Sequence, residues 1–358
     1  MRKRRLLIAS LCAAAAIMVA VILRSVLAPP PTYTHTFITT TAGEPIIAFS
    51  INDHGQVVGI ARSKAGEFRI FLWQKDHGAR DLGSFERPNH SEPLRINNAG
   101  RVTAALRDPN GDFRAFIWDP PEDKKILAAL PGKSSLPLGL NNQGQVVGFS
   151  YTSDGFPHAV LWNGDAGITD LGTLGGPASI AGSINDSGQV AGFSQTGSGQ
   201  WHAFFWDPNA GIKDLGPTSL TPPVLGYIHL NNKGFVVGRF GSTNDQMLIS
   251  TWSETEGVRP MPPMKGIDAH PIALNDANQF LLHIRSASLK LGSHWLFHHV
   301  EEYLWDPNEA FVPFKKNLGR RDVSTFFPRD INNKGQIVGQ VVQKNSKQAA
   351  GVLLEPIE

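Results

Sequence analysis

One position in each copy of an internal repeat is placed where a polar side chain could bind a ligand or transfer a proton. Each lies two positions before a recurring asparagine, and the set is Ser50, Arg95, Gly139, Ser183, His229, Ala273 and Asp330. If the repeat brings them to one level around a central channel, Arg95, Ser183, His229 and Asp330 form a candidate ligand-binding ring. Ser183, His229 and Asp330 also supply the three groups of a nucleophilic relay. The alternative is that these polar groups only bind water in the channel.

The sixth repeat carries an insertion rich in aromatic residues and histidine. Its main side chains are Leu291, His294, Trp295, Phe297 and His298. Apolar protrusions on a regular scaffold mark interaction sites, so we expect these residues to contact a partner. Two alternatives remain: His294 and His298 share a helix face at metal-ligand spacing, with Glu301 or Glu302 as the nearest carboxylates, or the insertion folds back over its own repeat.

The motifs of common enzyme and cofactor sites do not occur. Ser183 lacks a Gly-x-Ser-x-Gly context, and turns such as Asn185-Asp186-Ser187-Gly188 lack the alternating carboxylates and distal glutamate of calcium loops. The single cysteine, Cys12, excludes a disulfide framework and a cysteine-based zinc cluster. We therefore expect no metal, no cofactor and no enzymatic activity. A hydrolase or lyase with its site at the channel mouth is the alternative.

The elements that must position these residues follow from the repeat. An asparagine after an apolar residue recurs at Asn52, Asn97, Asn141, Asn185, Asn231, Asn275 and Asn332. A tryptophan follows 21 residues after each of the first five asparagines, and the sixth is displaced to Trp305. Units of about 45 residues with four short, turn-bounded strands are typical of β-propellers. The sequence predicts an all-β, seven-bladed propeller of four-stranded antiparallel blades over residues 33–358.

The turn after each asparagine has a distinct chemistry. Glycine follows at the third position in six units, and Asn278 replaces it in the sixth unit. Glycine and asparagine both tolerate a positive φ, so the pattern predicts a hairpin with a left-handed residue there.

The chain begins and ends with single strands that complement each other. Residues 33–38 resemble an outer strand, and residues 350–354 resemble a third strand. The sequence predicts that the first strand completes blade seven and closes the ring. We also expect the recurring tryptophans between blades, where they lie over the glycine found seven positions after most of the asparagines.

The amino terminus has the charge pattern of a targeting segment. Five basic and no acidic residues lie in residues 1–32, which leaves 28 basic and 31 acidic residues in the remainder. This balance argues against a nucleic-acid partner. Residues 6–23 are uncharged and long enough to span a membrane as one helix. We expect a signal anchor in residues 1–32 that leaves the propeller outside the cytoplasm. Cleavage after Ala28 and secretion is the alternative.

Three submotifs recur in phase and carry a resemblance. They are represented by Ile184-Asn185-Asp186-Ser187-Gly188-Gln189-Val190-Ala191-Gly192, His202-Ala203-Phe204-Phe205-Trp206-Asp207 and Ile168-Thr169-Asp170-Leu171-Gly172. Residues 33–358 resemble the extracellular HAF repeat family, named for the His-Ala-Phe tripeptide. The resemblance implies an exported, propeller-like repeat protein and no particular reaction. Arg69 and Arg114 replace the tripeptide histidine in the first two units, which argues against a catalytic role at that position.

These observations favour an exported, membrane-anchored propeller that acts as a binding or scaffolding module. The expected partner is an envelope or extracellular protein, or a glycan. A cleaved form acting on a neighbouring or host cell is a further alternative.

Overall fold

The computed structural model describes residues 33–63, 66–85, 94–119, 124–132, 134–164, 167–218, 227–241, 249–261, 267–291, 294–308, 310–314, 323–343 and 349–357. The predicted hydrophobic helix at residues 6–23 lies outside these ranges. No helix among the described residues has the length and apolar character needed to cross a membrane.

The described residues form 28 β-strands. They are β1 (Tyr33–Ile38), β2 (Ile47–Ile51), β3 (Val57–Arg62), β4 (Phe68–Gln74), β5 (Gly78–Phe85), β6 (Arg95–Ile96), β7 (Val102–Arg107), β8 (Phe113–Trp118), β9 (Lys124–Ile126), β10 (Ser135–Leu140), β11 (Val146–Tyr151), β12 (Pro157–Trp162), β13 (Ile168–Asp170), β14 (Gly175–Ile184), β15 (Val190–Thr196), β16 (Trp201–Asp207), β17 (Gly211–Pro217), β18 (Ile228–Leu230), β19 (Val236–Gly238), β20 (Ser250–Ser253), β21 (Gly257–Pro260), β22 (Ile267–Leu274), β23 (Phe280–Leu291), β24 (His294–Asp306), β25 (Ala310–Pro313), β26 (Val323–Ile331), β27 (Ile337–Gln343) and β28 (Ala349–Pro356).

These strands assemble into seven four-stranded antiparallel sheets, which confirms the predicted propeller blades. Blades one to six are the consecutive sets β2–β5, β6–β9, β10–β13, β14–β17, β18–β21 and β22–β25. Blade seven has the order β1-β28-β27-β26, so the first strand of the domain pairs with the last. The register runs from Tyr33 opposite Pro356 to Ile38 opposite Gly351. The predicted closure of the ring is therefore confirmed.

The tryptophans pack between neighbouring blades, as predicted. Trp73 of blade one lies in a buried cluster with Val338 and Leu353 of blade seven. Trp162 is 1% exposed, and its Nε1 donates to the carbonyl of Ala128 in the preceding blade at 2.6 Å. The ring is thus held by apolar contacts across the blade boundaries, and the recurring tryptophans contribute to them.

The glycine seven positions after the asparagine has a different neighbour from the predicted tryptophan. A Cβ added to Gly59 would lie 2.5 Å from the carbonyl oxygen of Ile47 on the adjacent inner strand. At Gly192 it would meet the carbonyl of Ile180 and, at 2.7 Å, the ring of Phe204. A close approach of the neighbouring main chain, rather than an overlying tryptophan, therefore excludes a side chain here.

The recurring asparagine stabilises its own turn. Asn185 is 2% exposed, and its Oδ1 accepts hydrogen bonds from the main-chain N–H groups of Ser187 at 3.1 Å and Gln189 at 3.0 Å. Gly188 follows with φ +74°, and the substitute Asn278 has φ +60°. The predicted left-handed position is confirmed in both cases.

The same asparagine also links one blade to the next. Its Nδ2 donates to the main-chain carbonyl of the equivalent asparagine in the following blade, with N···O distances of 2.9 to 3.2 Å. The members are Asn52, Asn97, Asn141, Asn185, Asn231, Asn275 and Asn332, and the last donates back to the first. Seven side-chain amides thus form a closed ring of hydrogen bonds, which we call the asparagine ring.

A second ring lies directly beside the asparagine ring. The main-chain N–H of each next residue donates to Oδ1 of its equivalent in the following blade at 2.8 to 2.9 Å. Its members are Asp53, Asn98, Asn142, Asp186, Asn232, Asp276 and Asn333. Two stacked rings therefore fix the relative positions of the inner strands that line the channel.

Candidate functional site

The residues at the seven predicted ring positions do meet in one place. Ser50, Arg95, Gly139, Ser183, His229, Ala273 and Asp330 all line a cavity of about 180 Å³ in the channel. A second cavity of about 180 Å³ lies at the channel mouth and is bounded by residues of the two hydrogen-bonded rings. We call the first one the channel cavity. It is smaller than pockets for drug-sized ligands, which span roughly 300–1,000 Å³, so it suits a small molecule or the end of a longer one.

β-Bulges in the inner strands position these side chains. The pairing of the first and second strands shifts between Ala48 and Ser50, between Ala181 and Ser183, and between Pro328 and Asp330. A bulge places an extra residue in one strand and redirects the side chains beside it. In blade seven, for example, the bulge brings two consecutive residues of one strand to the channel.

Asp330 is held firmly at the boundary between blades seven and one. Its Oδ2 accepts from the Ser50 hydroxyl at 2.7 Å and from the Ile51 N–H at 3.0 Å. Its Oδ1 accepts from the Ile331 N–H at 2.9 Å. Burial within the ring raises the pKa of Asp330, against the opposing effects of the nearby Arg95 charge and these hydrogen bonds. The carboxylate is therefore well supplied with donors but poorly solvated.

Arg95 lines the same cavity, and most of its donors have no acceptor among the residues that the structure describes. Among the described residues its one hydrogen bond runs from Nη1 to the carbonyl of Leu94 at 3.2 Å. A guanidinium carries five N–H donors. Burial lowers the pKa of Arg95, and the negative charge of Asp330 opposes that shift.

Arg329 is a channel residue that the sequence analysis missed. It lies in the blade-seven bulge, lines the channel cavity and stands 5.9 Å from the centre of the Phe49 ring. Burial lowers its pKa; Glu302 opposes the shift and Arg95 adds to it. The signal was present in the sequence, because the equivalent positions hold Phe49, Leu94, Leu138, Gly182, Ile228 and Ile272, and only blade seven has a charge there.

The hydrogen bonds of Ser183 and Asp330 do not assemble the relay of Ser183, His229 and Asp330. The Ser183 hydroxyl donates to the carbonyl of Leu230 at 3.4 Å and accepts from its N–H at 3.1 Å. Asp330 is bonded to Ser50 and to main-chain N–H groups instead. In this structure Ser183 therefore braces blade four against blade five.

The blade-six insertion extends the middle hairpin of its sheet. β23 and β24 remain paired out to Leu291 opposite His294. The alternative of a shared helix face for His294 and His298 is therefore wrong, because the backbone hydrogen bonds here pair two strands. The side chains of Leu291, His294, Trp295, Phe297 and His298 lie outside the part that the structure describes. Among described residues, no group of three or more His, Cys, Asp or Glu side chains is placed to hold a metal ion.

The tripeptide histidine has a structural role. His158 Nδ1 lies 2.7 Å from Asp170 Oδ2 of the outer strand, and the same contact joins His202 to Asp214 at 2.9 Å. In blade one, Arg69 Nε donates to Asp81 at 2.6 Å. Arginine can replace histidine because both supply a nitrogen to the aspartate of the Asp-Leu-Gly motif.

The fold and the polar channel define a seven-bladed β-propeller with a small cavity on its axis. No protein-family model and no curated protein sequence matches the chain. Virginiamycin B lyase from Staphylococcus aureus, a catalytically inactive form with quinupristin, is 12% identical with a TM-score of 0.54; the match covers 91% of this chain and 100% of that one. A puromycin-hydrolyzing peptidase from Mycobacterium tuberculosis is 10% identical with a TM-score of 0.53, covering 90% and 56%. TolB from Acinetobacter baumannii is 18% identical with a TM-score of 0.45, covering 62% and 55%. The chain thus spans little more than half the length of the last two.

The absence of common catalytic motifs led to the expectation that the protein is not an enzyme. That expectation is wrong. Solved structures that share this propeller fold include a lyase and a peptidase. At 10 and 12% identity the likeness shows the fold alone. The fold therefore leaves an enzymatic role open.

Proposed function

We propose that the protein is an exported, membrane-anchored propeller of the cell envelope that binds a ligand or partner in its channel. The proposed partner is an envelope or extracellular protein, or a glycan. The resemblance to HAF repeat proteins and the charge pattern of residues 1–32 support the location. One observation carries the binding role: Arg95 faces the channel cavity and uses one of its N–H donors among the described residues. A partly desolvated cation with unused donors is costly in a purely structural position.

Native mass spectrometry of the full chain, extracted from its own membranes, tests this proposal. We expect a bound molecule or partner that is lost in the double variant Arg95→Gln/Asp330→Asn. The double variant Arg101→Gln/Asp119→Asn is the matched control, because it removes a surface pair, with Nε and Oδ2 2.7 Å apart, outside the channel. Thermal unfolding shows whether the propeller remains folded. Equal recovery by the channel variant and the control would reject the channel as the binding site.

The extended hairpin of blade six remains our proposed site for a protein partner. Residues 287–298 can be replaced by an Asn-Gly turn, because Ser286 lies opposite His299 in the register. Such a two-residue turn suits a hairpin. A partner recovered by the parent chain and lost by this variant would place the contact on the hairpin. A partner recovered equally by both would place it elsewhere.

A lyase or hydrolase acting in the channel cavity is the second candidate. It is favoured by the raised pKa of Asp330 beside Arg95, since perturbed titratable groups cluster at functional sites. The test is to incubate the isolated ligand with the full chain and to search for products by mass spectrometry. Turnover that Asp330→Asn abolishes while binding persists would support this role. An unchanged ligand would reject it.

A further inference from the structure

Hydrogen-bond donors and acceptors are unequally used in the channel cavity. The acceptors of Asp330 receive three hydrogen bonds, and the Ser183 hydroxyl both donates and accepts. Arg95 makes one bond, and Arg329 makes none among the described residues. Among the described residues, the two guanidinium groups that line the cavity therefore have one protein acceptor between them.

The carboxylates near these arginines do not remove the imbalance. Asp330 lines the cavity, but its oxygens already accept from Ser50, Ile51 and Ile331. Glu302 of blade six is 6% exposed, and its Oε1 lies 2.6 Å from His283 Nδ1 within its own blade. Glu302 acts on Arg329 through its charge, and no hydrogen bond joins these two described residues.

The two arginines come from different blades and face one space. Arg95 lies on blade two and Arg329 on blade seven, with blade one between them. Arg95 is close enough for its positive charge to disfavour that of Arg329, and it lowers the pKa of Arg329. An anion held between them would relieve this repulsion. Planar guanidinium groups match carboxylate and phosphate oxygens with paired hydrogen bonds.

Resting on the proposed channel-binding function, we propose that Arg95 and Arg329 form a clamp for an oxyanion, a carboxylate or phosphate group. The cavity of about 180 Å³ limits the bound part to a small acid or the acidic end of a longer molecule. Asp330 positions the site by fixing the boundary between blades seven and one, and its own charge disfavours oxyanions that approach from its side.

Isothermal titration calorimetry of the full chain in detergent tests the clamp. The probes are succinate, citrate, inorganic phosphate and a short peptide with a free carboxyl terminus, and the controls are glucose and the amidated peptide. We expect saturable binding of at least one oxyanion and none of glucose. Arg95→Gln and Arg329→Gln should each weaken that binding at least tenfold, and Arg101→Gln, at a surface pair, should leave it unchanged. Binding of free acids but not of the peptide would identify a small-molecule site, and the reverse would identify a chain terminus.

The outcomes separate the clamp from the proposed function. Oxyanion binding that survives both channel substitutions overturns the clamp. A neutral or cationic native ligand that Asp330→Asn removes and Arg95→Gln spares overturns the clamp but keeps the channel as the binding site. No binding of any probe, together with no ligand or partner in native mass spectrometry, overturns both. Unfolding midpoints of all four variants, measured in parallel, identify any loss that comes from misfolding.

Discussion

The asparagine ring predicts that a one-atom change in a turn loosens the contact between two blades. In Asn185→Asp the side chain keeps an oxygen for the N–H groups of Ser187 and Gln189. It loses the Nδ2 donor to the carbonyl of Asn231, 3.1 Å away, and to Gln189 Oε1, 2.8 Å away. An oxygen then faces two acceptors at a site that is 2% exposed.

The expected cost follows from the burial of these groups. Leaving a buried acceptor without its donor costs about 1–3 kcal/mol, and more when the new group is charged. For Asn185→Asp at pH 7 we expect a loss of about 3 kcal/mol in the free energy of unfolding. With a urea m-value at the upper end of the usual range, about 3 kcal/mol per molar, the unfolding midpoint falls by about 1 M. Asn308→Asp, at an exposed turn, is the matched control and should shift it little.

The pH dependence distinguishes this explanation from a general defect of the turn. Facing two acceptors, the introduced carboxyl is ionised less readily in the folded state, so its folded pKa lies above the unfolded value of about 3.9. The protonated form can donate to the Asn231 carbonyl. Its stabilising contribution is therefore present below that unfolded pKa and is lost as pH rises through the folded pKa. Urea unfolding should show a smaller deficit at pH 4 than at pH 7, whereas the deficit of Asn185→Ala should stay constant. A pH-independent deficit in Asn185→Asp, or one no larger than that of the control, would refute this role of the asparagine ring.

Three further outcomes test the ring and its channel. Deletion of residues 33–38 exposes an edge of blade seven, so cooperative thermal unfolding should be lost; native-like melting would contradict closure by the first strand. Gly192→Ala should cost about 1–3 kcal/mol because its Cβ meets a neighbouring carbonyl, whereas Gly197→Ala, with 3.7 Å of clearance, should be nearly neutral in urea unfolding. Burial raises the pKa of Asp330, so its contribution is largest at acid pH; the stability of the parent relative to Asp330→Asn should fall as the pH rises from about 4 through the raised pKa. A rising difference over that range would show that the hydrogen bonds of Asp330 outweigh its desolvation.

The blade count and the level of the channel residues could be predicted because both depend on local chemistry repeated along the chain. The Asn-x-x-Gly turn requires a left-handed residue, and Asn278 satisfies the same requirement with φ +60°. Once the turns are aligned, counting back two residues reaches the channel in every blade. Closure by residues 33–38 follows from the unpaired strand that each end of the domain leaves.

Other features arise between residues that are far apart in sequence. The contact of Asn185 with Asn231 spans 46 positions, so its side chain could be assigned to the turn but not to the next blade. Simple strand alternation would also turn Arg329 away from the channel if Asp330 faces it, and the bulge at that point brings both to the cavity. The spacing of His294 and His298 fitted a helix face, but pairing with β23 determines a strand.

By itself, therefore, the sequence determined the repeated unit, its turns, the number of blades and the level of the channel side chains, because each depends on residues close together in one unit. The tertiary structure decided which side chain completes the hydrogen bonds of another blade, and which charges share one poorly solvated space. Those outcomes depend on strand register and on closure of the ring, which bring residues of separate units within hydrogen-bonding distance.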